Sequence, residues 1–256
     1  MNLKNKKALI IGIASERSIA AGIARVFANN GAKLALTYQN EKLKTRVENI
    51  GGDISEETLI YPCDLASDNS ISTLKNNIKD KWGSIDIIIH SAAYAPRELL
   101  SGDFIDNITR EGFQTAHDIS SYSFPALAKE FREIINKEGS LLTLSYLGSE
   151  KVIKNYNIMG LAKASLESSV RYMSHSLGSN NIRVNAISAG PIKTLAAAGI
   201  SGFNEILHHV EEKSALKRNV TLSEIADTAL FLSSNNASGI TGQIIYVDCG
   251  FNTIGV

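Results

Sequence analysis

The sequence predicts a doubly wound parallel α/β fold: a single domain, 1–256, built on a seven-stranded parallel sheet flanked by helices. Three observations point to it. Short apolar runs alternate with amphipathic stretches from end to end. Several runs are apolar throughout, as strands covered on both faces of a parallel sheet are. The first run ends at a glycine and opens directly into a helical pattern.

Taken in order, Ala8-Leu9-Ile10-Ile11 forms strand 8–11, closed by Gly12, and Ser18 caps a helix over 18–29. Strand 33–37 leads to a helix over 41–49, where the charge run from Lys42 to Glu48 is a solvated face. Strand 58–61, helix 69–81 and strand 85–89 follow, with Trp82 as a packing anchor and His90 as a core group. One long helix is expected over 109–136, then strand 141–144, helix 159–177 and strand 183–187. Helix 223–232 and strand 244–247 complete the series, joined by right-handed crossovers. The stretch 194–213 departs from this rhythm. It is small and apolar, contains Gly199 and Gly202, and is expected to form a mobile helical flap over the substrate.

Composition excludes several classes. Lys+Arg and Asp+Glu each number 26, a balance that argues against bulk electrostatic binding of nucleic acid or membrane. No apolar run is long enough for a membrane span. Cys63 and Cys249 form no CxxC pair, which fits a reduced, cytoplasmic setting. No metal site is expected: His208 and His209 are adjacent and so face different sides of a helix.

Two regions carry candidate chemistry. The turn after the first strand, Gly12 to Ser18, sits before a helix N-terminus, where backbone N–H groups and the helix dipole favour an anion. The G-x-G-x-x-G pattern is absent, because the next glycine is Gly22. The second strand ends Thr37-Tyr38-Gln39-Asn40 with no Arg beside Gln39, which favours NADH over NADPH. Asp64 after the third strand can accept from an adenine amino group or cap a helix. The second region is Tyr156 and Lys163. Seven positions are close to two helical turns, so both side chains leave on one face. A phenol with an ordinary pKa of about 10 is a donor near neutrality, and a nearby cation eases release of its proton.

These residues resemble the divergent short-chain dehydrogenase/reductases, and specifically the bacterial enoyl-acyl-carrier-protein reductases. Four stretches carry the likeness: Gly12 to Gly22; Thr109 to Phe113 with His117 to Ser123; Leu144 to Gly148 with Tyr156 and Lys163; and Arg183 to Ala196. The resemblance implies a Rossmann-type fold. It makes Tyr146, Tyr156 and Lys163 catalytic, with Tyr156 donating to an enolate oxygen. Lys163 then holds the nicotinamide ribose and lowers the phenol's pKa. It gives cofactor contacts to Gly12, Ser18, Ile19, Gln39, Asp64, Leu65, Ala92, Lys163, Ile192, Lys193, Thr194, Leu195 and Ala196. Ala95, Tyr146 and Tyr156 meet the acyl substrate. NADH, acyl carrier protein, a cytoplasmic homotetramer and sensitivity to diphenyl ethers such as triclosan are implied as well. Most short-chain reductases space this Tyr and Lys by four; seven is similar to the enoyl reductases. An enoyl reductase delivers hydride to C3 of a conjugated thioester, and charge appears on the C1 oxygen two bonds away. The donor therefore sits farther off than in a ketoreductase.

The chain also departs from that family. Ser91-Ala92-Ala93 stands where relatives often read Ser-Ile-Gly, and Asp248-Cys249-Gly250 where they read Asp-Gly-Gly. The flap lacks the basic residues thought to meet the acidic carrier, leaving Lys213, Lys217 and Arg218 as substitutes. Another short-chain reductase acting on a ketone or alcohol is the alternative, disfavoured because Gly160 stands four residues after Tyr156. A non-catalytic nucleotide-binding protein on the same fold is the third reading.

Overall fold

The computed structural model describes residues 1–195, 197 and 200–255. Its strands are β1 (Lys7–Ile11), β2 (Lys33–Tyr38), β3 (Leu59–Pro62), β4 (Ile85–His90), β5 (Ile135–Ser145), β6 (Arg183–Ala189) and β7 (Ile244–Val247). They form one sheet in the order β3-β2-β1-β4-β5-β6-β7, and neighbouring strands run parallel. The helices are α1 (Ile19–Asn29), α2 (Glu41–Ile54), α3 (Asp68–Trp82), α4 (Phe104–Asn107) and α5 (Arg110–His117). Then come α6 (Ser123–Phe131), α7 (Ile158–Gly178), α8 (Phe203–Lys213) and α9 (Leu222–Ser233).

Alternation along β1 builds two cores. Ala8 and Ile10 enter one layer with Phe27 of α1 and Ala229 of α9. Leu9 and Ile11 enter the other with Phe124 and Phe131 of α6 and Leu166 of α7. Strand order reverses at β1, which opens a crevice beyond the carboxyl ends of β1 and β4. Ile11 pairs with His90, so Gly12 and Ser91 leave the sheet side by side. Gly22 serves packing rather than phosphate: a Cβ there would lie 2.7 Å from Leu222 Cγ, where α1 crosses α9.

The seven expected strands and their parallel sheet are present, with differences at their edges. The single helix expected over 109–136 is three pieces. α5 and α6 are joined by a π turn, Asp118–Tyr122, and β5 begins already at Ile135. Pro125 explains the break, since it has no N–H to give to the carbonyl four residues back. Ser123 Oγ donates to Ile119 O at 2.6 Å, a side-chain bond that competes with the helical ladder. Within the expected flap, α8 is the α-helix; residues 194, 195, 197 and 200–202 lie outside it. Ala196, an expected cofactor contact, falls outside the described residues.

His90 is fully buried at the end of β4, with Thr143 Oγ1 2.8 Å from Nδ1 and Ser123 Oγ 2.9 Å from Nε2. Desolvation first, then the charge of Lys163, pulls its pKa down to about 3. In the unfolded chain it titrates near about 6.5. The unfolded state therefore takes a proton that the native state refuses. Stability is full above about pH 6.5 and falls as pH drops toward the native value. A loss approaching 1.4 kcal/mol per pH unit is expected below about pH 6. Urea denaturation across that range measures it, and His90→Gln flattens the slope.

Candidate active site

A cavity of about 450 Å³ lies at the carboxyl ends of the central strands. Gly12, Ala14, Ser18 and Ile19 line it from the β1–α1 turn, and Ser91 to Ala95 from beyond β4. Ser145 and Tyr146 follow β5, and Tyr156, Met159 and Lys163 stand at the head of α7. Ile192, Thr194 and Leu195 beyond β6 and Phe203 of α8 close it. The structure thus brings eleven of the expected site residues to one space: Gly12, Ser18, Ile19, Ala92, Ala95, Tyr146, Tyr156, Lys163, Ile192, Thr194 and Leu195. Gln39, Asp64, Leu65 and Lys193 lie outside it. Gln39 and Lys193 are exposed, and Leu65 is buried in the second core. Asp64 Oδ1 accepts from Ala66 N at 3.1 Å, whereas the cap of α3 is Ser67.

The β1–α1 turn has the form of an anion cradle. Gly12 has φ +102°, and a Cβ there would stand 2.0 Å from the Ser91 carbonyl oxygen. Only glycine fits such an approach. Ser18 caps α1 as expected: its Oγ accepts from Ala21 N at 3.4 Å and donates to Ser15 O at 2.6 Å. Ser15 Oγ is buried and has no hydrogen-bond partner among the described residues, as a hydroxyl awaiting a ligand oxygen would be. The sequence singled out neither Ser15 nor Arg46, whose Nη1 crosses from α2 to the Ala14 carbonyl at 2.8 Å. Nothing in local spacing links position 46 to position 14. These features fit a dinucleotide pyrophosphate.

Tyr156 lies two residues ahead of α7, in the turn that enters it, and not on the helix itself. Asn157, at φ +41°, makes the bend. Two glycines seat the ring. A Cβ on Gly148 would come within 2.3 Å of Tyr156 Cδ1, and one on Gly160 within 2.6 Å of the Gly148 carbonyl oxygen. Tyr146 meets Tyr156 edge to face, with centroids 5.0 Å apart at 74°. Lys163 is buried and donates from Nζ to Leu144 O at 2.6 Å.

Burial sets the protonation states. It pulls the Lys163 ammonium down to about 8, against the opposing charge of Glu167. It pushes Tyr146 up to about 12, with Asp248 adding to the effect. Tyr156 is driven well above the ordinary phenol range by burial, then by Tyr146 and Glu167. The phenol is thus raised where a lowered pKa was expected, and burial is the largest cause.

Two further expectations meet the structure here. Arg218 grips Glu224 with both guanidinium nitrogens, at 2.6 and 3.0 Å, and Lys217 Nζ donates to Glu212 O at 2.9 Å. Arg218 is thereby tied to the capping box of α9. His208 pairs with Glu212, and no cluster of His, Cys, Asp and Glu fit for a metal occurs among the described residues.

Sheet order, anion cradle and a Tyr–Lys pair in one cavity together have the form of a short-chain oxidoreductase. Residues 12–252 match a family model described as enoyl-(acyl carrier protein) reductase. The chain is 49% identical over 250 residues to the enoyl-acyl-carrier-protein reductase (NADH) FabI of Salmonella typhimurium, covering 98% of this chain and 95% of that protein. Among solved structures, the Bacillus cereus enoyl-acyl carrier protein reductase with NADP+ and an indole naphthyridinone superposes with TM-score 0.97 at 45% identity, covering all of both chains. The reductase from Anaplasma phagocytophilum in complex with NAD superposes with TM-score 0.95 at 41% identity, covering 99% of this chain and 96% of that one. The chain belongs to the enoyl-acyl-carrier-protein reductase family.

The glycine seat makes a direct prediction. Gly148→Ala pushes the Tyr156 ring by an ångström or more and is expected to lower kcat about 100-fold. Steady-state kinetics measures it, with circular dichroism confirming an intact fold.

Proposed function

We propose that this chain catalyses NADH-dependent reduction of the C2–C3 double bond of trans-2-enoyl thioesters carried on acyl carrier protein, the reductive step of bacterial fatty-acid elongation. The observation that carries this reading is the joining of the Gly12–Ser18 cradle to Tyr146, Tyr156 and Lys163 in one cavity, with seven positions from Tyr156 to Lys163.

NADH, when bound, supplies the hydride. The backbone of Gly12 and Ile19 with the Ser18 cap holds the pyrophosphate at the start of α1. Gln39, Asp64 and Leu65, at the ends of β2 and β3, hold the adenosine end. The absence of Arg beside Gln39 supports NADH over NADPH. Ala92, Ile192, Lys193, Thr194 and Leu195 frame the nicotinamide end. The Lys163 ammonium donates to the ribose hydroxyls and fixes the ring's place. Ala95, Met159 and Phe203 form an apolar wall for the acyl chain. Tyr156 donates its O–H to the thioester oxygen, a bond that strengthens as negative charge develops there. A phenol held so far above its usual range keeps its proton and acts as a donor. Tyr146 packs against that ring and lines the substrate path. The segment 194–213, ending in α8, acts as the flap.

We also propose a homotetramer in the cytoplasm. Phe113, Tyr122, Leu161 and Tyr172 are exposed on α5, the following turn and α7, an apolar face suited to a second copy. No helix among the described residues is long and apolar enough to cross a membrane.

One assay separates the readings: loss of NADH absorbance with crotonyl or longer enoyl thioesters, against acetoacetyl thioesters. Turnover of the enoyl substrates is expected; turnover of the ketone alone favours a ketoreductase, and none with either a non-catalytic protein. Tyr156→Phe is expected to lower kcat about 100-fold with KM altered only a few-fold. An unchanged kcat removes Tyr156 as the oxygen's donor.

A further inference from the structure

Glu167 is a buried carboxylate for which the proposed chemistry has no use. It lies on α7 four residues after Lys163, so the two share a helix face. Its Oε1 accepts from Ser145 Oγ at 2.5 Å and from Ser149 Oγ at 2.7 Å. Those serines bracket Tyr146-Leu147-Gly148, the segment that supplies the second tyrosine and the floor of the Tyr156 seat. One carboxylate oxygen thus clamps both ends of that segment to α7. Charged acceptors make stronger hydrogen bonds than neutral ones, so the clamp is firm.

We propose that Glu167 is a positioning residue for the reduction: it clamps the Tyr146–Gly148 segment to α7 and sets a carboxylate on the helix face that carries the Lys163 ammonium. The proposal rests on the reading of Lys163 as the ribose-holding cation.

The groups around this pair are His90 from β4, Tyr146 after β5, Tyr156 before α7 and Tyr246 on β7, with Glu150 and Asp248 beyond. His90 stays neutral above about pH 3, and the three tyrosines keep their protons past the range of enzyme assays. Lys163, held near about 8, is the member of this group that loses its charge between neutrality and mild alkali. Glu167 raises that value, so its neutralisation lowers it. The sign is fixed: without the carboxylate, Lys163 loses its proton at lower pH, and the alkaline limb of activity moves down.

Glu167→Gln tests this, because the amide oxygen can still accept from both serines while the charge is gone. The alkaline limb of kcat/KM with crotonyl thioester is expected to move down by about one pH unit. Activity then falls about eightfold at pH near 8.5 and less than twofold near 6.5, following a one-unit displacement. NADH affinity, read by fluorescence quenching, weakens over the same window. A loss equal at all pH values overturns the proposal, since a purely structural role has no such limb. Glu167→Asp keeps the charge and is expected to keep the limb in place; a limb displaced as far as with Gln overturns it too. Failure of the underlying reading shows separately, as no enoyl turnover by the unaltered protein.

Discussion

The seat of the Tyr156 ring is the constraint on which the rest of the site depends. Gly148 and Gly160 are close enough to the ring, and to each other, that a methyl group at either has no room. The ring cannot slide toward α7, and Tyr146 blocks it from the side. The phenol is therefore fixed relative to Lys163 by sterics on a well-packed scaffold, and such placement is what converts a donor into a catalyst. Everything upstream serves the seat. β5 delivers Ser145 and the glycine turn, β6 supports β5, and α7 carries Lys163 and Glu167 behind it.

Burial governs the electrostatics of this small volume. It costs the charged form of every group, so the tyrosines rise and the lysine falls. A cation beside a phenol is often read as an activator of that phenol. Here burial raises the Tyr156 phenol, which keeps its proton near neutrality. Under the proposed function, such a site would stabilise developing negative charge by orientation and not by early proton release.

The sheet was legible because apolar β-branched runs broken by glycine and helical patterns leave few alternatives to a parallel sheet. The Ser18 cap was legible for the same local reason. What escaped notice needs contacts between distant positions. Pro125 marks the π turn locally, but Ser120 within that turn bonds to the backbone of Tyr94 from 26 residues away. Arg46 reaches Ala14 across 32 residues, and Glu167 reaches Ser145 across 22. Nothing in local spacing shows that Gly22 belongs to the crossing of α1 and α9. Tyr156 and Lys163 were found through helical spacing, although the tyrosine stands just ahead of the helix. Both side chains line one cavity even though one of them precedes the helix.

The central claim is that this geometry separates the site of hydride arrival from the site of charge. Hydride reaches C3, while Tyr156 meets the thioester oxygen. Reduction of crotonyl thioester with NADH deuterated at the transferred position reads this directly, by NMR of the product. Deuterium at C3 and solvent hydrogen at C2 is the expected result. Deuterium at C2, or a product reduced at the thioester carbonyl, would contradict it.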